Sequence, residues 1–69
     1  MKFLVVIEKT NTGFSAYSPD LPGCISTGSS REETERNMQQ AIEFHLEGLE
    51  RKGVGIPQPQ SYSTYLETS

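Results

Sequence analysis

Cys24 and His45 are the side chains of this sequence that could pair as thiolate and imidazole, if a helix carrying the histidine crosses a sheet carrying the cysteine. No third residue stands out to orient the imidazole, and the expectation is the plainer one. Cys24 is then a small buried strand residue, and His45 lies at the edge of a helical apolar stripe with its polar tip in water. Asp20, in Pro19-Asp20-Leu21-Pro22-Gly23, is expected to accept hydrogen bonds from backbone amides two residues on, as Asx turns do, with a contact role to a partner left open. Tyr17 and Leu21 flank it, either as an exposed apolar patch or packed under the loop. With Cys24 alone, no intrachain disulfide can form.

These residues need elements to place them. Phe3 to Ile7 is apolar at both parities, with Phe3, Val5 and Ile7 on one face and Leu4 and Val6 on the other, the pattern of an interior strand covered on both sides. Thr10-Asn11-Thr12-Gly13 supplies a hairpin turn into a second strand, Phe14 to Ser18, paired antiparallel with the first. Pro19, Pro22 and Gly23 make a rigid loop, and Cys24 to Thr27 forms a short third strand ending at Gly28. Ser30 with Glu33 is a capping box, so a helix is predicted from there to Lys52, stopped by Gly53. Its stripe is Met38, Ala41, Ile42, His45, Leu46 and Leu49, with Glu32–Arg36 and Glu47–Arg51 spaced to pair on the wet side. Pro57 and Pro59 make the next segment extended, and Tyr62 to Leu66 alternates as a fourth strand should.

The expectation is therefore one α+β domain over residues 1–69, ordered β-β-β-α-β, with a mixed sheet in strand order 3-2-1-4 under one helix. Nothing in the chain covers the other sheet face, although Leu4 and Val6 point to it, so a second copy is expected there or at an edge strand carrying Tyr62, Thr64 and Leu66. A dimer follows from either contact and a tetramer from both.

The 69 residues carry a formal charge of −3, and the six basic ones are scattered except for Arg51 and Lys52. Direct nucleic-acid binding needs clustered cations and is not expected, whereas a basic protein partner suits the surface. The apolar run after Met1 is too short for a signal peptide or a membrane span, and one free cysteine agrees with a cytoplasmic protein.

From Phe14 through Cys24, continuing Ser26-Thr27-Gly28-Ser29-Ser30-Arg31-Glu32-Glu33 and again at Ile56-Pro57-Gln58-Pro59, the chain resembles the HicB antitoxin family. The resemblance implies a partial RNase H-like fold and a role in neutralising HicA, a small mRNA-cleaving toxin, by covering its active site. Tyr17, Asp20, Leu21 and the helix carboxylates Glu43 and Glu50 are candidate contacts for such a toxin, and Pro22, Gly23, Gly28, Ser30 and Glu33 are structural by their turn and capping positions. A nuclease of RNase H type needs several convergent carboxylates, one of them in the middle of the first strand. Phe3 to Ile7 has none, Glu8 lies at the strand's end and Asp20 in a loop, so no catalysis, metal or cofactor is expected. Many family members add a C-terminal DNA-binding domain. The sixteen residues after Gly53 hold two prolines and no Lys or Arg, and no such domain is expected in them. The alternative is a stand-alone oligomeric scaffold or small-ligand module without a toxin.

Overall fold

In a computed structural model describing residues 1–69, three strands and one helix form. They are β1 (Val6–Lys9), β2 (Phe14–Tyr17), β3 (Ile25–Gly28) and α1 (Arg31–Arg51). The sheet is antiparallel in the order β1-β2-β3, with Ile7 opposite Ala16 and Ala16 opposite Ser26. The hairpin turn between β1 and β2 is held twice: Thr10 N–H donates to the Gly13 carbonyl at 2.8 Å, and Gly13 N–H donates to Thr10 Oγ1 at 3.1 Å.

The first strand is shorter than its apolar run. Pairing starts at Val6, opposite Tyr17, because the residues that would partner Val5 and Leu4 leave the sheet. The Ser18 carbonyl accepts from Leu21 N–H in a turn at 3.1 Å, and Pro19 has no N–H to offer. A second turn follows directly, with Cys24 N–H donating to the Leu21 carbonyl at 3.0 Å and Gly23 at φ 83°, a conformation open to glycine. The two turns fold Leu21 inward, where it is fully buried with Ala16, Cys24 and Met38.

α1 is fastened at both ends. Ser30 Oγ accepts from Glu33 N–H at 3.1 Å, while the Glu33 carboxylate accepts from the backbone and hydroxyl of Ser29, one residue earlier than a simple capping box would place it. These hydrogen bonds, the Ser29 backbone first, hold the Glu33 carboxyl below its ordinary value, with Arg36 adding a little. At the other end Gly53, at φ 70°, donates to the Glu50 carbonyl and Val54 donates to the Leu49 carbonyl, the double bond of a Schellman motif. The helix starts tight against the sheet. A side chain at Gly28 would meet Thr34 Oγ1 at 2.6 Å, and Thr34 is itself completely buried. Of the two expected surface pairs only Glu47–Arg51 forms, at 2.6 Å.

The expected fourth strand is not formed. Tyr62, Tyr65 and Leu66 are 87%, 100% and 83% exposed, and the segment joins no ladder. A strand that buries so little recovers too little free energy to offset the backbone entropy of ordering it. Ser63 and Tyr65 nevertheless border a cleft of about 870 Å³ running along residues 2–7. α1 packs on β3 and, less, on β2, so Phe3, Val5 and Ile7 are only half-buried along this cleft.

The molecule measures 47 × 28 × 16 Å. The shortest dimension holds one sheet and one helix, which leaves the second sheet face without a layer over it. Six residues are buried, and only two of them, Leu21 and Met38, are large apolar side chains, so the core is thin.

Candidate functional site

The strand register decides which side chains share the open sheet face. Val6, Tyr17 and Ile25 stand opposite one another across the three strands on that face, with Glu8, Ser15 and Thr27 as the next row. Leu4 precedes the strand and is half-buried, as Val6 is, and both border the cleft that runs along residues 2–7. Tyr17 is 41% exposed and Ile25 is 69% exposed. Val6, Tyr17 and Ile25 thus form an apolar row on that face.

Of the loop residues, Leu21 takes the packed alternative and Asp20 departs from expectation. Leu21, a candidate contact, is a core residue at 0% exposure and is not available to a partner. Asp20 makes no Asx turn. Its carboxylate accepts from Gln60 N–H at 3.1 Å, Ser61 N–H at 3.0 Å and Ser61 Oγ at 3.0 Å, which ties the C-terminal segment to the Pro-rich loop. The Ser61 amide, helped by the Gln60 amide and the Ser61 hydroxyl, holds the Asp20 carboxyl below its ordinary value against the opposing effect of desolvation. Asp20 is a tether in the free chain.

On α1 the carboxylates of Glu43 and Glu50 are exposed, Glu43 accepting from Gln39 Nε2 at 2.9 Å. The stripe that faces the core includes Met38, Ala41, Ile42 and Leu46. Phe44 lies outside it and is 77% exposed, a feature that the periodicity of the stripe does not mark. The signal was there to use: a large aromatic between Glu43 and His45, one position off the core-facing set. Thr64 is exposed along with Tyr62 and Leu66.

Cys24 and His45 line one shallow groove, but the cysteine is buried and its thiol is pushed up by desolvation. A nucleophilic cysteine needs the opposite shift, so this pair has the character of packing. No three of the His, Cys, Asp and Glu side chains group in a way that could hold a metal ion. No helix is long and apolar enough to cross a membrane. The surface thus offers carboxylates on one helix, an apolar row on a bare sheet face, and exposed aromatics at the rim, a composition suited to binding protein.

Comparison with known proteins agrees. A family model described as the HicB-like antitoxin of bacterial toxin–antitoxin systems matches residues 3–69. An uncharacterised 14.9 kDa protein of Haemophilus phage HP1 is 35% identical over 66 residues, covering 96% of this chain and 50% of its own length. A UPF0150 protein of Helicobacter pylori is 51% identical over 45 residues, 65% of this chain and 62% of its own. The chain thus spans about half the length of the phage relative. Among solved structures, a chain of the HicA3 and HicB3 toxin–antitoxin complex superposes with a TM-score of 0.69 at 31% identity, over 84% of this chain and 72% of that one. The antitoxin HicB3 crystal structure superposes with a TM-score of 0.70 at 33% identity, over 83% and 42%.

Proposed function

The chain belongs to the HicB-like antitoxins of bacterial toxin–antitoxin systems, and from this premise we propose that it acts stoichiometrically, by seating on a small basic mRNA-cleaving toxin of the HicA type and covering its active site. The observation that carries this reading is the likeness to the antitoxin HicB3, of which one solved form is in complex with HicA3. The electrostatics support it. From Asn37 to Glu50 the helix carries Glu43, Glu47 and Glu50 and no Lys or Arg, so its outer side attracts a cationic protein and repels RNA. Masking needs no catalytic group on this chain, and the site where it works is the cytoplasm, where mRNA is translated.

Two structural points belong to the same reading. The three strands and helix are taken as part of an RNase H-like arrangement that Tyr62–Leu66 completes when it lies beside β1. The open sheet face, where Val6, Tyr17 and Ile25 share a row with Leu4 beyond its edge, is taken as the contact between two copies of the chain.

The test is co-expression with the toxin encoded beside it. The account expects growth to be restored and the purified pair to elute together, with an assembly rate that falls as salt is added. Separate elution at micromolar concentrations contradicts it. A neighbouring gene that encodes no short basic protein favours the stand-alone scaffold.

A further inference from the structure

The two edges of the sheet are finished differently. At the outer edge of β3 the Thr27 carbonyl accepts from Asn37 Nδ2 at 2.8 Å, so a side chain of α1 caps the backbone there. The outer edge of β1 has no such cover. Thr10 N–H bonds to the Gly13 carbonyl just beyond the Lys9–Phe14 pair, which sets the phase of the ladder. Val6 and Glu8 exchange hydrogen bonds with Tyr17 and Ser15, and Ile7 and Lys9 turn their N–H and C=O groups to the open side. Residues 3–5 make no backbone hydrogen bond, although Phe3, Leu4 and Val5 are half-buried. A row of unpaired backbone beside an apolar cleft is a template for a strand.

That edge is also self-complementary. An antiparallel pair of such edges about a two-fold axis through Val5 sets Phe3 of one copy against Ile7 of the other, Leu4 against Val6, and Lys2 against Glu8. The outward-facing Ile7 then stands at a hydrogen-bonded pair. A shift of two residues either way sets Leu4 against Glu8 or Lys2 against Val6, so apolar contact and charge favour the one register.

Residues 61–66 are placed to close this edge first. Gln60 and Ser61 are fixed to the Asp20 carboxylate by three hydrogen bonds, and Asp20 follows closely on Tyr17, the partner of Val6 at the start of β1. From that pin, Ser61 to Leu66 reaches about 17 Å when extended at roughly 3.3 Å per residue, more than the length of residues 3–7. Ser63 and Tyr65 already border the cleft. We propose that residues 61–66 are a strap, pinned at Asp20, that closes on the outer edge of β1 in its own chain and so denies that edge to the β1 of a second copy. The inference rests on the reading of Tyr62–Leu66 as the strand beside β1 and adds to it a pin and a consequence. Releasing the pin adds an edge contact to the one between sheet faces, so the strap sets the size of the assembly.

The test is sedimentation and amide hydrogen exchange of the full chain. Asp20→Ala is expected to double the sedimenting mass. Thr64→Pro, at an exposed position away from the core, blocks the strap without touching the loop and should double it too. Adding Lys2→Glu to either variant should return the mass to that of the unaltered chain, and Glu8→Lys on top of it should double it again. In the Lys2→Glu background, where copies stay apart at this edge, Asp20→Ala should speed exchange of the Ile7 amide at least about 10-fold. Val6 and Glu8, bonded to β2, should change less than about 3-fold and so report an intact hairpin. Should Asp20→Ala leave both mass and Ile7 exchange unchanged, the pinned strap is overturned. An effect of Thr64→Pro then leaves the strand beside β1 standing, and no effect of either variant overturns both. Faster Ile7 exchange without a doubled mass, or a doubling that Lys2→Glu does not reverse, overturns the exclusion of a second copy from this edge.

Discussion

Leu21 lies between Asp20 and Pro22 in a loop, yet no side chain of the protein is more completely buried. Loop position told nothing of this, because the two successive turns that fold it inward are set by carbonyls of Ser18 and Leu21 themselves. With only Leu21 and Met38 as large buried apolar groups, Leu21→Ala is expected to lower stability by about 2–5 kcal/mol, seen as a fall in the urea midpoint at unchanged m-value. A loss below about 0.5 kcal/mol would mean that the loop is not part of the core. Asp20 was equally opaque: its partners at Gln60 and Ser61 are 40 and 41 residues away and leave no local pattern. Its carboxyl is depressed below the ordinary 3.8, so its contribution is fully present above that value and is lost as the pH falls through the lower folded value. The Ser61 amide resonance should shift with pH in that acidic window, and Asp20→Asn should abolish the pH dependence.

At the level of elements, the features with local causes were readable. Ser30 and Glu33 announced the start of the helix and Gly53 its end, because capping needs particular side chains at fixed spacing and a left-handed residue needs glycine. The apolar parity of Phe3 to Ile7 divided the run into two sets, and Phe3, Val5 and Ile7 are the set that packs against the core. What pattern could not give was pairing. Tyr62 to Leu66 has strand composition, but a strand needs a neighbour whose edge is reachable and an apolar surface to bury, and neither is visible in alternation alone. The charged helix residues conveyed the character of the surface, while Phe44 lies just off the stripe, where helical periodicity carries no information about it. Gly53→Ala is expected to cost about 1 kcal/mol, since its φ of 70° is strained for any L side chain, measured by chemical denaturation. An unchanged midpoint would show that the Schellman turn is not needed to hold the helix end.

Taken whole, the chain is a two-layer molecule with a thin core and a bare sheet face, a condition that association would relieve. Fully burying an exposed Leu or Val side chain is worth about 1.5–3 kcal/mol, and Leu4 and Val6, already half-buried, would bring only part of that from each copy, before the cost of association. Sedimentation across a concentration series should show at least a dimer, which Leu4→Glu or Val6→Glu dissociates. A single 7.7 kDa species at tens of micromolar would rule that assembly out. The central claim, that this protein works by covering a toxin's active site, is met most directly by an RNA-cleavage assay with the adjacent toxin and increasing amounts of the purified chain. The account predicts that cleavage stops when the two are equimolar and that it returns when the complex is dissociated. Cleavage continuing undiminished in a large excess of the chain would contradict it.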